Sequence, residues 1–254
     1  MIDLHSHLLP AVDDGSRSVE QSVRVLRQFS ESGVTDVCLT PHLLASQASA
    51  GAPAAHDRAW ERLAAADLAG VRLHRGAEVM LDRPLPPKAA AQPAIRIAGT
   101  RYILVEFPRL ITAETVTAAL RHVIAVGLIP LLAHPERYSS CSVPAAQQWR
   151  SAGARLQVDA TTLASPRARG ERARALVAAG LGDIVAGDNH GDDRSIATAR
   201  DLLTSQGAGE QAEVLTARNP RAVLEDRELE PVAPAQLRLP LASRLRRLFD
   251  GNEA

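Results

Sequence analysis

The sequence of 254 residues is poor in several residue types, and each shortage excludes a class of protein. Its two cysteines, Cys38 and Cys141, are too few for a disulfide framework, and neither belongs to a Cys-x-x-Cys pair. The chain also has no excess charge, since 29 basic side chains balance 29 acidic ones, which argues against a binder of nucleic acid or anionic membranes. We therefore expect a reducing cytoplasm as its location and no nucleic-acid partner.

Long apolar runs are missing as well. The longest nearly uncharged apolar stretch, residues 123–133, is far shorter than the roughly 20 residues that cross a bilayer. The N-terminal residues contain no basic region followed by an apolar core, so we expect neither a secretory signal nor membrane insertion. Aromatic residues make up only 3% of the chain, and aliphatic side chains and alanine are therefore expected to fill the core.

Short apolar runs alternate with segments of helical periodicity along the chain. Seven apolar runs predict strands, at residues 1–5, 34–40, 71–79, 101–107, 128–133, 154–160 and 183–186. Helices are predicted at residues 18–32, 54–68, 112–126, 144–152, 166–179, 195–205 and 210–217. The proline-rich stretch 83–93 is typical of a surface loop. This order predicts a closed or nearly closed parallel β/α barrel, and a doubly wound open sheet is the alternative.

The domain organisation follows from the length and from the even composition. A chain of this length fits one large domain, and no change in composition marks a linker. Residues 1–230 are expected to form that domain. Residues 231–254, which are spaced by prolines and then become basic and amphipathic, are expected to pack as a tail on or near its exterior. The sequence leaves the oligomeric state open.

Histidines and carboxylates gather at the ends of the predicted strands, where a parallel barrel builds its active site. The residues at or just after strand ends are His5, His7, His42, Glu78, Glu106, His134, Asp188 and His190, and an acidic loop with Asp13 and Asp14 follows the first strand. Imidazole and carboxylate ligands together suit zinc, manganese or iron. So many ligands exceed what one four-coordinate ion uses, and two or three ions are therefore expected.

The joint placement of these residues carries the metal hypothesis, because a lone histidine near a strand end is more often a hydrogen-bonded residue than a ligand. The pairs His5/His7 and Asp188/His190 are each two residues apart, a spacing that places both side chains on one face of a strand. The remaining histidines, His56, His74 and His122, fall inside predicted helices or strands and are expected to have structural roles.

Seven short motifs resemble the PHP (polymerase and histidinol phosphatase) superfamily. They are His5-Ser6-His7, Asp13-Asp14-Gly15, Thr40-Pro41-His42, Gly76-Ala77-Glu78, Glu106-Phe107-Pro108, the segment from Ala133 to Tyr138, and Gly187-Asp188-Asn189-His190. The His-Pro-Glu-Arg-Tyr run and the Asp-Asp-Gly loop favour its bacterial protein-tyrosine phosphatases associated with capsular and exopolysaccharide gene clusters. The resemblance covers residues 1 to about 225 and implies a distorted seven-stranded β/α barrel related to the TIM barrel.

The resemblance implies a site of three metal ions, typically manganese, with iron or zinc as alternatives. The implied ligands are His5, His7 and Asp188 for one ion, Glu78 bridging to a second ion with Glu106 and His134, and Asp14, His42 and His190 for the third. Asp13 is the alternative to Asp14. Asn189 departs from the smaller residue that is commoner between the aspartate and the histidine, which affects the surroundings of the ligands more than the ligands themselves.

The chemistry expected of such a site is phosphate ester hydrolysis, because metal binding lowers the pKa of water and supplies a nucleophile without a protein side chain. Arg137 is expected to bind the phosphate and to act in catalysis with Asp188 and His190. A structural ion pair with Glu136 or another carboxylate is the alternative role for Arg137. By resemblance, the predicted enzyme is a metal-dependent phosphotyrosine-protein phosphatase that acts on the tyrosine-rich tail of a phosphorylated bacterial tyrosine kinase. A small phosphomonoester such as histidinol phosphate is the alternative substrate.

Several competing chemistries lack their residues in this sequence. Cysteine-dependent tyrosine phosphatases place an arginine six residues after the nucleophile, but Leu44 follows Cys38 and Gln147 follows Cys141 at that spacing. Binuclear amidohydrolases often bridge their metals with a modified lysine, whereas the sole lysine, Lys88, lies in the proline-rich loop. A noncatalytic docking protein whose ions are structural is the alternative outside enzyme chemistry.

Overall fold

The computed structural model describes residues 1–238 of the chain, which form a mixed α/β fold with two parallel sheets. The strands of the described chain are β1 (Ile2–Ser6), β2 (Asp36–Leu39), β3 (His42–Leu44), β4 (Arg72–Arg75), β5 (Glu78–Met80), β6 (Tyr102–Glu106), β7 (Ile129–Ala133), β8 (Arg155–Asp159) and β9 (Ile184–Ala186). The α-helices are α1 (Val19–Glu31), α2 (Ala54–Ala64), α3 (Pro87–Ala90), α4 (Ala113–Ala125), α5 (Val143–Ser151), α6 (Ala160–Ala164), α7 (Ala168–Ala178), α8 (Ala197–Ser205), α9 (Gly209–Glu213) and α10 (Asn219–Leu224). Short 3-10 turns and one π-helical segment, Val214–Arg218, complete the described chain.

The predicted strand 71–79 is split into β4 and β5, and the predicted strand 34–40, which contains β2, is followed by β3, which the sequence did not predict. The smaller sheet has the order β1-β2-β4, and the larger has the order β3-β5-β6-β7-β8-β9. The break between β2 and β3 falls at Pro41, which has no N–H to donate to a sheet. The break between β4 and β5 falls at Gly76, where a Cβ atom would lie only 3.0 Å from the Cys38 Sγ atom. The break at Gly76 therefore lies inside one predicted strand, whereas the break at Pro41 separates a predicted strand from an additional one.

The prediction of a parallel α/β fold is confirmed, whereas a single continuous barrel sheet is not found in the described residues. The end of β1 and the segment after β9 meet through an isolated parallel bridge between Ser6 and Asn189. The amide of His7 also donates to the Asn189 carbonyl (2.7 Å), and the amide of Asp188 donates to the His5 carbonyl (3.0 Å). These contacts bring the first and last strands of the fold side by side.

The core consists mainly of aliphatic residues and alanine, as the composition predicts. The few large aromatic side chains that are fully buried satisfy their polar atoms on backbone carbonyls. The Trp149 indole donates to Ala113, and the Tyr102 hydroxyl donates to Arg227. Helices α4, α5, α6 and α10 pack against strands of the two sheets, and other helices pack mainly on one another.

Two regions differ from the predicted boundaries. The proline-rich stretch 83–93 contains the short helix α3, which begins with Pro87 at a position where the missing N–H costs nothing. Residues 231–238 of the predicted tail pack against the C-terminal end of α7, where Ala235 donates to the Val177 carbonyl (3.3 Å). Residues 239–254, the rest of that tail, lie outside the described residues.

Among the helices of residues 1–238, none has both the length and the apolar character that crossing a bilayer requires.

Candidate metal centre

The nine side chains predicted as metal ligands come together in one cluster, although His42 and Glu78, expected to end strands, instead begin β3 and β5, just after the ends of β2 and β4. They are His5 in β1, His7 after β1, Asp14 in the following loop, His42 in β3, Glu78 in β5, Glu106 in β6, His134 after β7, and Asp188 and His190 after β9. Most of them are buried, and His42, Asp14 and His190 form the more open side of the centre. The strand ends of both sheets therefore contribute to one polar cluster.

Glu78 lies at the middle of the cluster and is 1% exposed. Its Oε1 atom lies 2.9 Å from His134 Nε2 and 3.3 Å from His5 Nε2. Its Oε2 atom lies 3.1 Å from His42 Nδ1 and 3.3 Å from His7 Nε2. Burial alone would raise the pKa of Glu78, but the surrounding histidines outweigh it and lower the pKa well below its usual value. The carboxylate is therefore ionised and its two oxygens face different histidines.

Asp188 is the second buried carboxylate and connects the cluster to two arginines. Its Oδ1 atom lies 3.3 Å from the Nε2 atoms of both His5 and His7. Its Oδ2 atom accepts hydrogen bonds from Arg137 Nη2 and, at 3.4 Å, from Arg194 Nη1. Burial opposes ionisation of Asp188, yet His5, His7 and Arg137 together lower its pKa below the usual range. One oxygen of this carboxylate therefore faces the histidines, and the other accepts hydrogen bonds from the arginines.

The loop after β1 separates the roles of its two aspartates. Asp14 Oδ1 faces the open side, 3.3 Å from His42 Nε2 and 3.5 Å from His190 Nε2. Asp13 instead lies behind His7 and accepts a hydrogen bond from its Nδ1 atom (2.8 Å). Gly15 allows this turn, because a Cβ atom there would lie 2.0 Å from the His7 carbonyl oxygen. Of the two alternatives, the geometry places Asp14 among the candidate ligands.

The possible ligand atoms form four overlapping groups in which all atoms lie within 4.8 Å of one another. The groups are His5, His7 and Asp188; His5, Glu78 and His134; His42, Glu78 and Glu106; and His7, Asp14, His42 and His190. The first group is the first set expected from the sequence. Glu106 and His134, expected on one ion, lie in separate groups that share Glu78. Nitrogen and carboxylate oxygen donors in such groups fit zinc, manganese or iron.

Hydrogen bonds behind the cluster determine which ring nitrogen of His5 and of His190 is free to face a ligand. His5 Nδ1 donates to Gln157 Oε1 (3.0 Å), and the His134 amide donates to the same oxygen (3.4 Å). Because a backbone N–H can only donate, the Gln157 oxygen must face both groups, and His5 Nδ1 must carry a proton. His190 Nδ1 donates to the Asp188 carbonyl (2.9 Å) in the same way. The Nε2 lone pairs of these histidines are left for a ligand.

Two candidate ligands have an unusual backbone conformation. His134 has a φ of 32° and Asp188 a φ of 47°, in the left-handed region that side chains other than glycine seldom adopt. His134 directly follows β7, and Asp188 is the second residue after β9. Strain of this kind collects at functional sites, where the surrounding structure holds the residue in place.

Arg137 forms ion pairs with Asp188 and Asp159 and none with Glu136, so the alternative of an ion pair with another carboxylate is found in the structure. Burial would lower the pKa of Arg137, but the two aspartates raise it above its usual value. Glu136 is fully buried and accepts a hydrogen bond from the Asp159 amide (2.9 Å). Burial, together with the charge of Asp159, raises the pKa of Glu136 to about 8.

Sequence reasoning missed two residues of this site. Arg194 reaches Asp188 from the loop after β9, and Gln157 lies behind His5 near the end of β8. Gln157 is two residues before Asp159, so a strand-face argument from Asp159 could have placed it toward the centre. Arg194 follows a run of charged loop residues, and no spacing in the sequence distinguishes it from its neighbours.

The remaining histidines and the cysteines lie outside the cluster in structural environments. His74 Nε2 lies 2.9 Å from Asp36 Oδ1, His122 Nε2 donates to the Leu85 carbonyl (2.8 Å), and His56 is buried in α2. Both cysteines are buried and free, and burial raises the pKa of each thiol, that of Cys141 to about 12. A buried neutral thiol is not a nucleophile, in agreement with the exclusion of cysteine chemistry.

Comparison with known proteins gives concordant matches. The family described as "Capsular polysaccharide synthesis, CpsB/CapC" matches residues 1–225. The tyrosine-protein phosphatase CpsB of Streptococcus pneumoniae is 25% identical over 240 residues, which is 89% of this chain and 99% of that protein. The putative tyrosine-protein phosphatase CapC of Staphylococcus aureus is 29% identical over 139 residues, and this match spans about half of each protein (54%).

A solved structure shares the fold. It comes from work on YwqE of Bacillus subtilis and CpsB of Streptococcus pneumoniae, described there as unique metal-dependent tyrosine phosphatases. The two chains superpose with a TM-score of 0.78 at 25% identity, over 93% of this chain and 100% of the other. The shared fold therefore includes all the strands that carry the cluster.

Proposed function

The chain belongs to the CpsB/CapC family of capsular polysaccharide synthesis proteins, and from this premise we propose that it is a metal-dependent phosphatase that hydrolyses phosphotyrosine in proteins. The observation that carries the proposal is the convergence of imidazole and carboxylate donors in four overlapping groups. Relatives named as tyrosine-protein phosphatases support the reaction class. They do not favour the alternative substrate, a small phosphomonoester such as histidinol phosphate.

The metal ligands belong to the proposal. We assign that role to His5, His7, Asp14, His42, Glu78, Glu106, His134, Asp188 and His190, with three ions, manganese first and iron or zinc as alternatives. Metal ions held there would lower the pKa of a water molecule toward neutrality and neutralise the phosphoryl oxygens. Glu78 is suited to bridge two ions, because its oxygens face different histidines at 2.9 to 3.3 Å.

Arg137 is proposed to bind the phosphoryl group and to act in catalysis with Asp188 and His190. Its guanidinium is 22% exposed and already reaches the cluster through Asp188, so it faces both the ligands and solvent. Arg194, 27% exposed, approaches the same carboxylate oxygen. Two guanidinium groups at one edge of a cation site present planar donors to phosphoryl oxygens while Asp188 holds them in position.

The leaving group of phosphotyrosine suits a site without a dedicated strong acid. A phenolate has a pKa of about 10, far below that of an alkyl alcohol, so the ester bond breaks with less help from a proton donor. His190 lies on the open side, hydrogen-bonded through Nδ1 to the Asp188 carbonyl, with Nε2 turned toward Asp14. This arrangement fits His190 as a ligand through Nε2, and its role in catalysis would be to hold the ion that supplies the attacking water.

The biological setting and the barrel complete the proposal. The substrate would be the phosphorylated tyrosine-rich tail of a bacterial tyrosine kinase that controls polysaccharide export, in a reducing cytoplasm. The two sheets would act as one distorted seven-stranded barrel of residues 1–230, closed by the Ser6–Asn189 bridge. Pro41 and Gly76 would then mark bends within two of its strands.

The proposal is tested by metal removal and substrate choice. The full chain is treated with a chelator, dialysed and assayed on a phosphotyrosine peptide and on histidinol phosphate, before and after addition of manganese, iron or zinc. We expect activity on the peptide that chelation abolishes and manganese restores, with elemental analysis giving about three ions per chain. Faster turnover of histidinol phosphate would contradict the substrate, and activity that survives complete metal removal would contradict the reaction class.

A further inference from the structure

Three segments that carry arginines meet beside the Arg137 edge of the metal centre. The loop after β6 carries Arg109, the turn after β7 carries Arg137, and the first turn of α7 carries Arg169. Hydrogen bonds hold the segments together. The Ser139 amide donates to the Arg109 carbonyl (2.9 Å), and Arg172 Nε donates to the Glu136 carbonyl (2.8 Å).

Arg109 and Arg169 have no acidic partner within residues 1–238. Both side chains are exposed, and neither takes part in an ion pair there. Partial burial, together with the positive charges of Arg109, Arg137 and Arg172, lowers the pKa of Arg169. Glu136 opposes this effect, but it is fully buried and turned toward the Asp159 amide. The positive charges of Arg109 and Arg169 therefore lie close together at this surface, and neither forms an ion pair within residues 1–238.

The helix that carries Arg169 adds to this potential. Helix N-termini have a partial positive charge and usually attract acidic side chains; the first turn of α7 contains Glu171, but it also places Arg169 at its second position. An arrangement in which cations and a helix N-terminus converge costs electrostatic energy in the free protein. An anion bound among them would relieve that cost, and low-dielectric walls strengthen its attraction.

The position of these arginines favours an anion carried by the substrate. Arg137 pairs with Asp188, whereas Arg109 and Arg169 form no ion pair with a candidate ligand, so a phosphoryl group among the candidate ligands would contact Arg137 and would leave Arg109 and Arg169 free. Leu110, next to Arg109, is 89% exposed and offers an apolar contact to an aromatic ring. An acidic or phosphorylated side chain elsewhere on the same peptide fits this surface.

We propose that Arg109 and Arg169 form a second anion subsite, which binds a phosphotyrosine or carboxylate side chain of the peptide whose reacting phosphotyrosine lies at the metal centre. The subsite rests on the proposed function and narrows its substrate class to peptides with several anionic groups. It takes no part in bond breaking. Its contribution is to binding, and it weakens as salt screens exposed charges.

The test compares four substrates at low salt with manganese present. They are p-nitrophenyl phosphate, a peptide with one phosphotyrosine and no other acidic residue, the same peptide with a second phosphotyrosine, and that peptide with glutamate in place of the second phosphotyrosine. The variant is the double substitution Arg109→Gln and Arg169→Gln. The matched control is Arg121→Gln, which removes an exposed arginine in the C-terminal half of α4.

The subsite predicts a KM effect limited to substrates with a second anion. The double variant should raise KM for the doubly phosphorylated peptide about five- to tenfold with kcat unchanged, the size expected for two exposed charge pairs. The glutamate peptide distinguishes the sources: a similar rise shows that a carboxylate suffices, and a smaller one that phosphate is required. The other two substrates, and the Arg121 variant, should change less than twofold. Restoring charge with Arg169→Lys should recover part of the loss.

Two outcomes would overturn the subsite. Equal KM values of wild type and double variant for every peptide would show that these arginines bind no part of the substrate. An equal loss on p-nitrophenyl phosphate would show that they act through the metal centre. Wild-type turnover of p-nitrophenyl phosphate separates these results from failure of the proposed function, since an inactive wild-type protein loaded with metal contradicts both.

Discussion

Gln157 offers a sharp test of the metal centre, because it touches no candidate ion and yet determines how two candidate ligands are held. Its Oε1 atom accepts hydrogen bonds from His5 Nδ1 at 3.0 Å and from the His134 amide at 3.4 Å. Gln157→Leu removes the one oxygen that accepts both hydrogen bonds while keeping a side chain of similar size. His5 is then free to rotate or to change its protonated nitrogen, and Nε2 no longer points reliably toward Glu78 and Asp188.

The size of the effect follows from the two lost hydrogen bonds. Partners behind metal ligands contribute about 10- to 100-fold to metal affinity, which corresponds to about 1.4 to 2.8 kcal/mol. The short bond to His5 places the expected loss within that range, and the longer bond to His134 adds less. The buried His134 amide also loses its acceptor, so the free energy of unfolding should fall by about 1 to 3 kcal/mol.

The measurement is a titration of the metal-free protein with manganese or zinc in competition with a chelating dye. Gln157→Glu is the conservative variant, and it should recover most of the affinity because a carboxylate oxygen accepts the same hydrogen bonds. Gln148→Leu, on the exposed face of α5, controls for the change from amide to hydrocarbon and should bind metal normally. A folded Gln157→Leu protein with wild-type affinity would refute the assignment of His5 as a ligand oriented from behind.

Three further predictions concern other parts of the site. Arg137→Ala should leave the metal content intact but lower kcat/KM on a phosphotyrosine peptide about 10- to 100-fold, the contribution of a charge-assisted hydrogen bond lost from a partly buried site; unchanged steady-state kinetics would return Arg137 to a purely structural ion pair. In the metal-free centre, burial would lower the pKa of His42, but Glu106 and Glu78 raise it to about 10, so the ring is protonated at pH 7 and must lose its proton to bind metal. Metal affinity should therefore increase as the pH rises toward 10, and calorimetry in two buffers of different ionisation enthalpy should detect proton release at pH 7; binding without proton release would contradict this pKa. Cys38→Ala should retain turnover within about twofold, since the thiol is buried and its pKa is raised; a selective loss of activity in a folded variant would indicate covalent chemistry.

The sequence was most informative where chemistry repeats at a fixed spacing. His5 and His7 lie two residues apart at a strand end, so the period of a strand was enough to place them on one side. Asp188 and His190 have the same spacing but lie beyond β9, where Asp188 is left-handed, so the strand period does not explain their placement. The parallel class followed from the alternation of apolar runs with helices. The sequence could not predict which ligands face each other. Contacts such as that of Glu78 with His134 depend on how far neighbouring strands are shifted along one another.

Other features had no signal in a single sequence. Gly76 divides an apolar run that was predicted as one strand, and the consequence of this break depends on packing around Cys38. The strand β3 after Pro41 was not predicted. Asp13 and Asp14 are chemically identical neighbours, separated only by a turn that Gly15 permits. Gln157 is a neutral residue without a spaced partner, and its role becomes visible only when β8 is placed beside β7.

The split of the strands at Pro41 and Gly76 also affects how the molecule is held together. His5 belongs to the three-stranded sheet, whereas His42, Glu78 and Glu106 belong to the six-stranded one. An ion bound by both His5 and Glu78 would link the two sheets at the boundary where the backbone hydrogen bonding between them is interrupted. Cation binding would then stabilise the fold as well as support the reaction. In the metal-free protein, the contact between the two sheets should be the first to separate.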